Sequence, residues 1–149
     1  MSDAMNEERR HWMGVLARAG SAMIEARLKA APPLPPHTRL RGPEIGLSML
    51  RGRAGGDGAP FNLGEMTVTR CAVRLEDGRV GHAYLAGRDL RGAELAAVLD
   101  AALQDPARRP ALMQAVVSPL AAVQAEARAE TARKAAATRV RFMTMANMR

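Results

Sequence analysis

The chain has 149 residues, 48% of them apolar and 25% charged, which is the size and balance of one globular domain with its own core. Its formal net charge is +7, 20 of its 22 basic residues are Arg, and only 3% of its residues are aromatic. A single cysteine, Cys71, excludes an intramolecular disulfide. No run approaches the ~20 apolar residues of a membrane span, and Met1 to Arg10 lacks the apolar stretch of a secretory leader.

A cytoplasmic protein is therefore expected. Its core must be built from Ala, Leu, Val and Met, and such a core gains stability by packing against partners. Arg in place of Lys supplies planar forks that grip phosphate or carboxylate. A GC-rich genome gives the same bias, so the positions of the arginines say more than their number.

Residues 6–31 read as an N-terminal helix: Trp12, Val15, Leu16, Ala19, Met23 and Leu28 recur at three-four spacing, with Glu8, Arg9, Arg18, Glu25 and Lys29 largely between them. A Pro-rich connector follows at 32–38, where Pro32-Pro33-Leu34-Pro35-Pro36 stops any helix. Residues 39–104 hold a β-meander and a helix. Glu44 to Arg53 alternates, with Ile45, Leu47 and Met49 on one side. Gly52 to Pro60 is a loop, Leu63 to Leu75 a second strand, and Asp77-Gly78 a hairpin signal before a return strand, Val80 to Ala86.

Asp89 is a good N-cap for a helix to about Gln104, with Leu95, Val98, Leu99, Ala102 and Leu103 as its buried stripe. Residues 105–149 form a helical arm and tail that Pro119 must kink or split. Ala125 to Ala137 has little apolar face and needs something outside itself to pack on. The expected fold is one α+β domain, a three-stranded or slightly larger antiparallel meander flanked by an N-terminal helix and two or more C-terminal helices.

The glycine string Gly52 to Gly58 invites a phosphate-loop reading, since glycine amides approach anions closely. A nucleotide loop needs Lys-Ser/Thr and a following helix, whereas this one joins two strands. What is left is a loop whose Gly55, Gly56, Arg51 and Arg53 are candidates for touching a phosphate or a partner. Arg70 and Arg74 lie four apart on one strand and point to one face. That face is either solvated or completed by an anion or a neighbouring subunit.

Arg88, just before a helix N-terminus, is a further anion candidate. Glu44, Glu65 and Asp89 are acids able in principle to move a proton, although salt bridges to nearby arginines are the commoner explanation. Asp100, alone among Ala and Leu, is expected on its helix's flank. His11, His37 and His82 have no companions at metal-ligand spacing, no nucleophile–base pair emerges, and Cys71 reads as a small buried hydrophobe. Specific nucleic-acid binding is not expected, because Trp12, Phe61 and Tyr84 lie far apart and no nucleic-acid-binding motif appears.

The centre of the chain resembles a known family. Arg41-Gly42-Pro43-Glu44-Ile45-Gly46-Leu47, the run Phe61 to Leu75, and Asp77-Gly78-Arg79-Val80-Gly81-His82-Ala83-Tyr84 are similar to PhnG, a subunit of the carbon–phosphorus lyase system. Gly87-Arg88-Asp89, Ala93-Glu94, Asp100 to Gln104, His11-Trp12-Met13 and Thr138 to Met145 extend the likeness.

The resemblance implies an accessory subunit in organic phosphonate catabolism, working with PhnI, PhnH and PhnJ and functionally with PhnL. In that system PhnI displaces adenine from ATP with an alkylphosphonate, giving α-D-ribose 1-methylphosphonate 5-triphosphate. It implies no catalytic residue and no cofactor in this chain, since ATP and alkylphosphonate are substrates of the complex. Self-association within the complex is a further expectation. The chain departs from the family pattern at Leu90 and Gly92, where Lys and His are usual, at Arg141, and in the ending Ala146 to Arg149.

Overall fold

The structure is a computed structural model and describes residues 3–55 and 58–140. The expected single helix over 6–31 is two helices. α1 (Asp3–Leu16) buries Trp12, Val15 and Leu16, and α2 (Ser21–Leu28) buries Ile24. Between them Gly20 takes φ +73°, a left-handed conformation open to glycine at little cost. The apolar spacing runs through the break, which is why it reads as continuous in sequence.

Three strands follow, β1 (His37–Gly52), β2 (Phe61–Leu75) and β3 (Val80–Ala86), in one antiparallel sheet of order β1-β2-β3. β1 starts at His37, so the last two residues of the expected 32–38 connector already belong to the sheet. Register shifts between Arg39 and Arg41 and between Arg41 and Glu44 break the alternation there, and this hides the first third of the strand from a pattern search. The β2–β3 turn has Gly78 at φ +87° and an Asp77 carboxylate that accepts from Arg79 N at 3.0 Å.

β3 pairs with β2 only from Val68 to Arg74. Beyond that, β1 and β2 continue as a two-stranded arm out to the Gly52–Phe61 pair. The sheet therefore has a body, three strands wide, and an arm, two strands wide.

α3 (Leu90–Leu103) lies across one face of the body, over Cys71, Val73, Leu75, Ala83 and Leu85. It approaches very closely at Gly81, where a Cβ would stand 1.9 Å from the Ala97 carbonyl oxygen. Every residue of α3 from Gly92 to Leu103 is buried, as expected of a central helix covered on all sides. Covering its outer side are α1, α2 and the segment from Leu112 to Leu120. Each large aliphatic side chain buried here contributes about 1.5–3 kcal/mol against exposure.

The C-terminal region is one run of helix with a defect. α4 (Arg109–Leu112) passes into a π turn at Met113–Val117 and then α5 (Ser118–Ala137). Ser118 N donates to Met113 O, five residues back. The widened turn accommodates Pro119, which has no N–H to give and no room for a normal fourth-residue carbonyl. Of α5 only Leu120 is buried.

Candidate functional site

The sheet has two faces, and the register decides what each carries. Opposite α3, the body's open face brings together Arg41 and Glu44 from β1, Arg70, Ala72 and Arg74 from β2, and His82 and Tyr84 from β3. Glu44 Oε1 accepts from Arg70 Nε at 2.6 Å and pairs with Arg41 Nε at 2.7 Å. One carboxylate oxygen thus holds two guanidiniums, and the trio keeps one net positive charge. The terminal nitrogens of both forks are left for other acceptors. Arg41 and Arg70 border an open cleft of about 420 Å³ whose other walls include Leu40, Met13, His82 and Tyr84.

Arg74 shares this face but is exposed and makes no ion pair among the described residues. Arg51 and Arg53 lie instead at the far end of the arm, also exposed, with Gly55 beyond them at φ +76°. Gly56 falls outside the described residues. Asn62, opposite Arg51, is eight positions from Arg70 along β2, about 26 Å of extended chain. The strand and loop arginines singled out from the sequence, Arg70 and Arg74 on the one hand and Arg51 and Arg53 on the other, therefore fall in two separate places. Glu65 is exposed on the arm opposite Met49, and Arg88 is exposed on the turn into α3.

Asp89 has a structural task. Its Oδ1 accepts from Gly92 N and its Oδ2 from Ser21 N, each at 2.8 Å, so one carboxylate caps the starts of α3 and α2 together. Its own N–H donates to Thr69 Oγ1 at 3.1 Å, and that buried hydroxyl donates to Gly87 O at 2.7 Å.

The sequence places Asp100 on a helix flank; the structure buries it completely. Arg9 grips it with Nε at 3.0 Å and Nη2 at 2.8 Å, Trp12 Nε1 donates at 2.9 Å, and His82 N donates at 2.9 Å. The hydrogen bond to Asp100 raises the Arg9 pKa further above its ordinary value.

Glu94, also buried, accepts from Arg39 Nε at 2.7 Å and Nη2 at 2.9 Å and contacts His37 Nε2 at 3.2 Å. The hydrogen bond from Arg39 leads the causes holding its carboxyl below the usual range. Burial pushes the Cys71 thiol up, which keeps it protonated and poorly nucleophilic.

The body's buried carboxylates are thus occupied by structural donors. On the arm the α3 side of the sheet continues without a cover among the described residues. Ile45, Leu47 and Met49 fall on that side and are 47, 63 and 55% exposed. They extend the face whose body half forms the core.

The comparisons with known proteins agree with the motifs. The family model described as "Phosphonate metabolism protein PhnG" matches residues 7–147. The chain belongs to the PhnG family. A relative from Rhizobium meliloti (strain 1021), named alpha-D-ribose 1-methylphosphonate 5-triphosphate synthase subunit PhnG, is 45% identical over 143 residues, covering 96% of this chain and 91% of the relative. Phosphonate metabolism is the family's setting, and the PhnG match spans the cleft, the arm and α5 alike.

Proposed function

We propose that this chain is a non-catalytic subunit of an assembly that makes α-D-ribose 1-methylphosphonate 5-triphosphate, with PhnI-, PhnH- and PhnJ-like chains as its neighbours. It supports the displacement of adenine from ATP by an alkylphosphonate and brings no cofactor of its own. The observation that carries the reading is the arm. Three large apolar side chains on a continuation of the core face, Ile45, Leu47 and Met49, are left exposed, a patch that marks a protein–protein contact. The engagement of Asp89, Glu94 and Asp100 by structural donors supports the absence of a proton-transfer role.

Within that reading, the Arg41–Glu44–Arg70 trio is where we place a negatively charged group, a phosphate oxygen of a substrate or a partner's carboxylate. The carboxylate between the two guanidiniums fixes their spacing before any ligand arrives, which lowers the ordering cost of binding.

Co-expression of the tagged full-length chain with the other subunits is expected to return a stable complex. A chain that purifies as a dispersed monomer beside them would refute the proposal. Arg70→Ala is expected to slow growth on methylphosphonate as sole phosphorus source, whereas Arg128→Ala, on the exposed side of α5, leaves it unchanged. Equal tolerance of both would mean that the open face is only solvated.

A further inference from the structure

The two edges of the sheet are treated differently. On β3 two outward backbone groups are met by side chains from α3: His82 N donates to Asp100 Oδ2 at 2.9 Å, and Val80 O accepts from Gln104 Nε2 at 2.8 Å. The β1 edge has no such cover over Ile45–Leu50. Among the described residues no hydrogen bond reaches those backbone groups from outside the sheet.

An edge strand left open is a template for pairing, and proteins blunt such edges with charge, proline or bulges. The β1 edge is blunted on both sides of this stretch. Pro43 and the register shifts lie before it, and the shift between Leu50 and Arg51 lies after it. Inside it, Ile45-Gly46-Leu47-Ser48-Met49-Leu50 carries no charge, no proline and no bulge.

We infer that Ile45–Leu50 receives a β-strand from a different polypeptide of the assembly, a claim that rests on the subunit reading above. Alternate residues of an edge strand direct both N–H and C=O outward, and an added strand satisfies them while its own alternate side chains read the face.

The occupant is a strand with aliphatic side chains on the α3 side, backed by a layer that covers Ile45, Leu47 and Met49. A second copy of this chain meets only half of that demand. Pairing β1 with its own copy would satisfy the edge, but it would double the bare apolar face instead of covering it. A partner that brings both a strand and a layer completes edge and face together.

Amide hydrogen exchange on the full-length chain, alone and in the co-expressed assembly, tests this. Alternate amides within Ile45–Leu50 are expected to slow by at least about tenfold on assembly, with β3 unchanged. Leu47→Lys is expected to cut recovery of the partner subunits by about tenfold while leaving the melting of the isolated chain as it was. An assembly that forms with these amides still exchanging freely overturns the strand proposal and leaves the subunit reading standing. Protection already present in the isolated chain and rising with its concentration overturns it in favour of self-pairing. Failure of the wild-type chain to assemble removes both.

Discussion

The body and the arm of the β1–β2 ribbon are built from one pair of strands and meet opposite fates. In the body, β2 has neighbours on both sides and α3 over one face, so Cys71, Val73 and Leu75 are buried. A few residues further on, the same face of the ribbon carries Leu47 and Met49 exposed. The residue types hardly differ. What differs is the helix above them, and the comparison teaches that the arm is shaped for a cover that the described residues do not supply.

Three changes would break or sharpen that contrast. The largest effect is expected in the body. Asp100→Ala leaves the Arg9 guanidinium, the Trp12 indole and the His82 amide without their acceptor, and is expected to cost about 3–5 kcal/mol in chemical denaturation of the isolated chain.

Glu94 supplies a pH-dependent part of the body's stability. Its folded pKa is depressed, by Arg39 first, so its contribution is present above the ordinary glutamate value, near 4.3. That contribution disappears as pH falls through the lower folded value. Glu94→Gln is expected to flatten the acid limb of a stability–pH curve, and an unaltered limb would show that other carboxylates set it.

The smallest effect on the isolated chain is expected in the arm. Serines at Ile45, Leu47 and Met49 together are expected to shift stability within about 0.5 kcal/mol per site, because little burial is lost. Yet they are expected to abolish assembly in a pull-down of the other subunits.

Local chemistry made part of this fold legible. β3 falls at Val80–Ala86 and α3 at Leu90–Leu103 because Asp77-Gly78 and Asp89 act over two to four residues. Long-range chemistry was not legible. Asp100 meets Trp12 and Arg9 across 88 and 91 residues, and nothing in the helical spacing of Arg9 shows that it reaches inward rather than out. The one signal was Asp100 itself, an acid surrounded by Ala and Leu on a helix too apolar to have a wet flank.

Of the arginine candidates, the sequence did place Arg70 and Arg74 on a common face. It also read Glu44 as a salt-bridge partner of nearby arginines, as found, but not that Arg70 was one of them, because cross-strand partners depend on a register that two bulges alter.

The widened helical turn at Met113–Val117 has a mechanical consequence. α5 is 20 residues long, about 30 Å of rod, and it is clamped near its root through Val116, Val117 and Leu120. Proline and a π turn at that root are where helices bend, so a tilt of about ten degrees there would carry the distal end through about 5 Å. A neighbour that grips the outer turns of α5 would thus gain leverage on the layer covering α3 without touching the sheet.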